Sequence, residues 1–500
     1  MRYVVGVDLG TQSCKAVVCD EQLAVVGSHA VPVATSFPQP GWAEQDPRAW
    51  ETALEAAVAG ALHGTGVVSA AAAVAGAGPI DAREVAAIAI AGQLDGCVAV
   101  DAHGEPLHAA LIWQDRRATA ETFDVPLDVT GQVADASHMA PKIAWLRARL
   151  ARAPQLALSL DAPGAHAHAP VRFHQPVSYL VARLTGAHVL DPSHASTTML
   201  YDLAAGTWSA PLLARYGIAQ HELPAIAPAT AVAGTLRREL AGIPAGTPVA
   251  VGTGDDFATP LGAGVVSPGP LLVTLGTAEV VGTLAASAVL DRTPPSPMVE
   301  THAYPTGAFF VENPGWLSGG AVRWATRMLG LGSDSELDAL AAEAPPGAGG
   351  ITFVPALAGA MTPVWDARRR GALLGLSAAH DRPHVARAVL EGLAFACRDI
   401  SERLAQLGLP HHEALVLGGG THSDVWLQIR ADALGIPHRV AARSDTCAIG
   451  AAMVASVAAG IHRDLPAAAA TAPAPRATIE PRGSLDEAYA LYQMRNRSTS

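Results

Sequence analysis

The chain reads as an α/β protein built from two domains, and three observations predict this. Its 500 residues exceed what one ordinary core holds. Its first third runs as a strand meander, a helix, a strand and a helix, with apolar period switching between that of a sheet and that of a helix. A pattern of strand, Leu-Gly-Thr turn and strand also occurs twice, as "VDLGTQSCKAVV" from Val7 and "VTLGTAEVVGTL" from Val273. Half-chains that each open on such a hairpin suggest duplicated domains facing one another across a cleft, with both turns pointing into it.

Taken in order, strands are expected at 2–8, 14–19 and 23–31. A helix follows at Asp46-Pro47, where a capping acid precedes a proline at the first helical position. The run "EVAAIAIAGQLDGCVAVD" gives a strand, a polar turn at Gln93 to Gly96 and another strand. Residues 152–171 are rich in Ala, Pro, Gly and His and read as an inserted loop. Its His166 and His168 are closely spaced, but no third ligand stands at a useful interval, so a solvated loop is the simpler reading. A strand ends in "VAVGTGDDF" near 255 and a new pair opens at "LLVTLGTAEVVGTL", which divides the chain into domains 1–262 and 263–465 with a tail over 466–500. In the second domain "ALVLGGGTHSDVWLQIRADAL" reads as strand, glycine turn and helix.

Composition narrows the function classes. Half the residues are hydrophobic and only 16% charged, which describes a packed protein, not a disordered one. The net charge of -12 offers no surface for a polyanion, so nucleic acid is not an expected partner. The five cysteines are odd in number and contain no CxxC pair, which suits a reducing compartment and makes the cytoplasm the expected location. The N-terminus enters an apolar strand at once, leaving no room for a signal peptide. The Ala-rich run 56–78 is broken by His63, Thr65 and glycines, so no membrane span is expected. A Walker A loop needs a lysine after glycine, and the two lysines, Lys15 and Lys142, do not follow one. No protein-kinase HRD catalytic loop is found, since His462-Arg463-Asp464 has Ala469 where that loop needs its asparagine, and the metalloprotease HExxH motif is missing.

The Leu-Gly-Thr turns suit phosphate. Glycine permits close backbone approach, and turn N–H groups with a threonine hydroxyl make an anion-binding concavity. Asp8 would repel a bare phosphate, but with Mg²⁺ present a hard cation takes carboxylate, water and phosphate oxygens together. Each turn taken singly is also an ordinary hairpin turn, where Asp, Gly and Thr are common. The 418–420 turn lacks the acidic residue of a dinucleotide site and suits an adenosine or close strand–helix packing.

These segments resemble, in order and from Val4 to about Gly460, the FGGY carbohydrate kinases, and among them most the xylulokinases. "GVDLGTQSCK" is similar to the first phosphate hairpin, "PGWAEQDPRAW" to a substrate-side loop, "APKIAWLR" and "GALLGLSAAHDRPHVARAVLEGLAFA" to two further family patterns, and "LGGGTHSDVWLQIRADALGIP" to the adenosine-side turn. The resemblance implies a two-domain actin-like (ribonuclease H-like) ATPase fold with an interdomain cleft, ATP as co-substrate, Mg²⁺ at Asp8, and a small sugar as acceptor. It implies that Asp255 is the catalytic base, whereas the residue alone also reads as an N-cap for the following helix. By the same resemblance Asp8, Gly10, Thr11, Lys15, Gly276 and Thr277 meet the phosphates, and Gly418, Gly419 and Gly420 meet the adenosine. Gln93, Leu94, Asp95, Trp113, Asp255 and Asp256 face the substrate, with Asp115 and Arg116 near it. A homodimer is expected by analogy alone.

The sugar pocket departs from the pattern. Xylulokinases usually carry Met-His where this chain has Leu94-Asp95, and Asp-Asn where it has Asp255-Asp256; glycerol kinases have Arg-Glu at the first place. The expected reaction is phosphorylation of a pentulose such as D-xylulose, the alternative that of a tetritol, pentitol or glycerol. An actin- or chaperone-like ATPase and a dinucleotide-dependent oxidoreductase are the readings from other classes. A hinge is expected over 256–270, where Gly262, Gly264 and Gly269 would make the chain pliant, and the Arg368 to Arg370 run is expected to be a solvated face.

Overall fold

The computed structural model describes residues 1–64, 80–152, 171–366 and 368–498. His166, His168 and most of the expected 152–171 loop therefore lie outside the described residues, as does the run from Thr65 to Ala77 and Gly78. The chain forms two compact units, neither continuous in sequence. The first takes Met1–Val266, His302–Ala308 and Asp445–Ala472; the second takes Ser267–Thr301, Phe309–Ser444 and Pro473–Ser500.

In the first unit the meander forms as Tyr3–Leu9, Ser13–Cys19 and Val25–Pro32. These begin and end a residue or two from the expected bounds. Tyr3–Leu9 pairs antiparallel with Ser13–Cys19 on one side and parallel with Val85–Gly92 on the other. The central strands are buried along nearly their whole length, which is why their sequence is a continuous apolar run. Helix Pro47–Leu62 starts as expected: the Asp46 carboxylate accepts the Arg48 N–H at 3.0 Å. Such a cap contributes about 1 kcal/mol. The helix lays Trp50, Leu54, Val58 and Leu62 into a core shared with Val5, Val7, Ile88 and Ile90.

The same device opens the second unit. Leu271–Leu275 pairs antiparallel with Ala278–Ala285 and parallel with Ala414–Leu417. Ala278–Ala285 then pairs antiparallel with Phe309–Leu317, as Ser13–Cys19 does with Val25–Pro32. The faint repeat of the two turns is thus a repeat of topology. Its core gathers Val273, Val281, Val311 and Val416 with the 25-residue helix Arg382–Gln406.

Three expectations change. The stretch 466–500 is not a bare tail: Ala477–Ile479 extends the second sheet by pairing with His438–Val440, and helix Asp486–Ser498 buries Tyr489 and Tyr492. Gly262 closes helix Asp255–Gly262, and a Cβ there would come within 1.9 Å of the Thr446 carbonyl oxygen. It is a close-packing residue against helix Thr446–Ala458, not a pliant joint. In the Arg368–Arg370 run, Arg369 turns inward and donates to the Asn496 side chain at 2.6 Å, because the last helix covers it.

Candidate active site

The chain leaves the first sheet three times at one edge. Leu9 is the parallel register partner of Gly92, and Gly92 of Gly254. The turn after Leu9, the turn after Gly92 and the helix starting at Asp255 therefore emerge side by side at the carboxyl ends of parallel strands, where ligands of open α/β sheets bind. Ten of the predicted site residues belong to this edge or reach it: Asp8, Gly10, Thr11, Lys15, Gln93, Leu94, Asp95, Trp113, Asp255 and Asp256.

Asp255 and Asp256 are the first two residues of helix Asp255–Gly262, and the cap position itself is held by Gly254. The N-cap reading of Asp255 is thus corrected: its Oδ1 accepts the N–H of Asp256 at 3.2 Å, beyond the cap. A helix N-terminus favours negative charge. Burial opposes it more strongly, and the charge of Asp8 adds to that, so Asp255 is pushed from its ordinary 3.8 up to about 7, with neighbouring His194 working the other way. Asp256 is raised as well, by burial, then by Asp255 and Asp95. Asp8, the last residue but one of strand Tyr3–Leu9, rises to about 6 through burial, offset by the Cys447 thiol and by Lys15. Lys15 is its cross-strand neighbour, and the ammonium lies 2.6 Å from Asp445 Oδ1.

The two turns are locked to each other through a residue that sequence reasoning did not single out. Gln45 donates to the Thr11 carbonyl at 2.7 Å and accepts from Gln93 Nε2 at 2.8 Å and from Trp50 Nε1 at 2.9 Å. Its presence inside "GWAEQDPRAW" was the available signal. Leu94 packs its Cδ2 where a side chain on Gly254 would stand. Asp95 has a left-handed φ of 57°, unusual outside glycine. Three contacts hold it there: its N–H donates to Gln175 Oε1 at 3.0 Å, its carbonyl accepts Lys142 Nζ at 2.7 Å, and its Oδ2 lies 3.3 Å from His138 Nδ1. Lys142, fully buried, also donates to the Ile112 and Ser137 carbonyls, and burial lowers its pKa to about 8.

Trp113 reaches the first turn, donating from Nε1 to Thr11 Oγ1 at 2.9 Å. Its neighbours do not accompany it. Asp115 is fully buried and accepts from the Ala43 N–H at 2.6 Å and from Arg117, while Arg116 pairs with Asp135. The Asp115 carboxylate is turned inward, where it holds the loop that carries Ala43.

In the second unit Gly276 and Thr277 form the turn after Leu275, and Thr277 Oγ1 accepts from Arg323 at 3.0 Å. Gly418, at φ 86°, follows the parallel neighbour strand Ala414–Leu417. A Cβ on Gly418 would stand 2.6 Å from the Leu275 carbonyl oxygen, so glycine is required for the two turns to touch. Gly419 opens a short 3₁₀ turn with Gly420, which packs on Leu275 and Trp426. Behind them the fully buried Arg430 makes a two-pronged pair with Glu279, one prong at 2.7 Å, and Ser318 Oγ donates to Glu279 Oε2 at 2.6 Å. Neither partner carried a sequence signal, since they stand 151 residues apart.

Among the described residues no group of three His, Cys, Asp or Glu side chains could enclose a metal, and no helix is long and apolar enough to cross a membrane.

Comparison with known proteins gives matches along nearly the whole chain. Residues 3–262 match the N-terminal domain, and residues 271–459 the C-terminal domain, of the FGGY family of carbohydrate kinases. A glycerol kinase of Alkalilimnicola ehrlichii is 33% identical over 95% of this chain and 94% of its own. The crystal structure of a xyloylose kinase from Brucella ovis is 30% identical, with a TM-score of 0.84 over 99% of this chain and 98% of that one. A Plasmodium falciparum glycerol kinase with ADP, 21% identical with a TM-score of 0.83 over 100% and 97%, shares the fold. The two matches together span most of the chain, which belongs to the FGGY family of carbohydrate kinases.

Proposed function

We propose that the protein transfers the γ-phosphoryl group of ATP to a hydroxyl of a small polyol, with Asp255 as general base. The observation that carries this reading is the placement of Asp255: a carboxylate at the end of a buried strand, its proton affinity raised to about 7, so that it accepts a proton near neutral pH. As the new O–P bond forms and the bond from γ-phosphorus to the ADP oxygen breaks, the hydroxyl proton passes to Asp255. Phosphoryl transfer runs through a loose, charge-spread transition state, so the protein's task is alignment and charge neutralisation.

The phosphate contacts are assigned to Gly10, Thr11, Lys15, Gly276 and Thr277, and the adenosine to Gly418, Gly419 and Gly420. Mg²⁺ fits the donor set at Asp8. That carboxylate is held up in pKa by burial, a nearby cation would relieve it, and Mg²⁺ characteristically takes one or two carboxylates with phosphate oxygens and water. When bound, the ion supplies neutralisation of phosphate charge.

The polyol reading rests on the relatives named glycerol kinases and on Asp95, an acid where xylulokinases carry His. The pentulose reading, with D-xylulose as substrate, is supported by the Brucella ovis likeness. A coupled ADP-release screen over glycerol, tetritols, pentitols, ketopentoses and ketohexoses tests both. ATP turnover indifferent to every acceptor would replace them with an ATPase of the actin or chaperone type.

A further inference from the structure

The carboxyl edge of the first sheet holds three polar atoms that are buried and have no hydrogen-bond partner among the described residues: Gln93 Oε1, Asp95 Oδ1 and His194 Nε2. Leaving such atoms unpaired is unfavourable by roughly 1–3 kcal/mol each, so their natural complement is a ligand or an ordered water. All three are acceptors. Gln93 and Asp95 present oxygens. For His194, Nδ1 lies 3.0 Å from Asp191 Oδ1, a contact that calls for a hydrogen on Nδ1, and in that tautomer Nε2 presents its lone pair.

His194 is tied to the reacting end of the site by its own network. Asp191 Oδ2 also accepts from Thr253 Oγ1 at 3.0 Å, and Ser193 Oγ lies 2.7 Å from Thr253 Oγ1. Thr253 belongs to strand Thr253–Gly254, which runs straight into Asp255. The ring is wholly buried, fixed at one nitrogen, and its other nitrogen is unspent.

The amide and cationic donors around the Gln93–Asp95 turn are committed elsewhere. Gln93 Nε2 goes to Gln45, Lys142 Nζ to three backbone carbonyls, and Gln175 Nε2 to the His194 carbonyl and Thr197 Oγ1. A ligand that satisfies these three atoms must bring hydrogens. A polyol offers an O–H on every carbon. A ketose offers, at its carbonyl carbon, an oxygen that can only accept, and an aldonic acid brings a negative charge toward Asp95, Asp255 and Asp256.

We propose that His194 Nε2, with Gln93 Oε1 and Asp95 Oδ1, forms an acceptor face that reads hydroxyl hydrogens and selects a fully reduced, open-chain polyol over the ketose of the same carbon skeleton. The proposal rests on the kinase reading above and names the residue and chemistry that set its substrate class.

The test is steady-state kinetics on matched pairs that differ only in one oxidation level, glycerol against dihydroxyacetone and xylitol against D-xylulose, with Mg-ATP. The wild-type enzyme is expected to favour the polyol member in kcat/KM by about tenfold or more, the loss expected when one buried acceptor is left unpaired. His194→Phe should raise the polyol KM about tenfold while leaving the KM for ATP unchanged, and His194→Gln, which restores an acceptor, should recover most of it. Asp95→Asn, which adds an amide donor, should narrow or reverse the preference. A wild-type enzyme that handles the ketone as well as the polyol would overturn the proposal while leaving the kinase reading intact. So would a folded His194→Phe with unchanged polyol KM, which would mean that Nε2 serves a buried water only. Phosphorylation of neither member of any pair would overturn the kinase reading itself and the proposal with it.

Discussion

Asp255→Asn should slow phosphoryl transfer ~10²- to 10⁴-fold and at the same time make the unliganded protein more stable. In the unfolded chain the carboxyl releases its proton near 3.8; in the folded protein it holds it to about 7. Between those values the folded state binds more protons than the unfolded state, so stability falls as pH rises through this window, and above 7 the whole penalty is present. The interval of about 3 pK units at about 1.4 kcal/mol each sets a ceiling of about 4 kcal/mol. Because Asp8 and Asp256 lie close and share the strain, about 2–4 kcal/mol is the expected gain when the charge is removed. Urea unfolding of both proteins without ligand, at pH 8 and at pH 4, measures it. The variant should be the more stable at pH 8 by that amount, and the difference should shrink toward zero at pH 4. A variant no more stable than wild type at pH 8, or a gain independent of pH, would refute the reasoning that burial and carboxylate repulsion govern this site.

Three further outcomes follow from the packing. Glu279→Gln leaves Arg430 charged and buried without its counterion and should lower the stability of the second unit by about 3–5 kcal/mol, read by urea unfolding. Gly262→Ala places a methyl on the Thr446 carbonyl, must push helix Thr446–Ala458 away from its neighbour, and should lower the melting temperature through a loss of about 1–3 kcal/mol or more. Gly418→Ala meets both a left-handed φ and the Leu275 carbonyl, and is expected to raise the KM for ATP at least several-fold with less effect on the KM for the polyol, measured by steady-state kinetics.

The hairpins, the capped helix at Asp46 and the strand ending at Asp255 were legible because each is written locally: apolar runs, a capping acid with proline, a glycine turn. The pairing partners that matter most were not. Gln45, Lys142, His138 and His194 act through contacts made by distant parts of the chain, and nothing in their spacing shows that the fold brings them to the 93–95 turn or beside Asp255. Asp115 misled for the opposite reason: its position beside Trp113 suggested the site, while a buried guanidinium and the Ala43 N–H claim its carboxylate. Gly262 shows the same limit for backbone. A glycine beside a domain boundary reads as flexibility, yet here it exists so that two helices can touch.

The central claim is that Asp255 takes the proton of an acceptor hydroxyl during transfer from ATP. Its most direct measurement is ³¹P NMR of a single-turnover mixture of enzyme, Mg-ATP and glycerol, with wild type and Asp255→Asn compared at equal nucleotide occupancy. The account predicts a phosphomonoester and ADP from wild type, and from the variant bound ATP with transfer slowed ~10²- to 10⁴-fold. Phosphomonoester forming at the wild-type rate in the variant would contradict it.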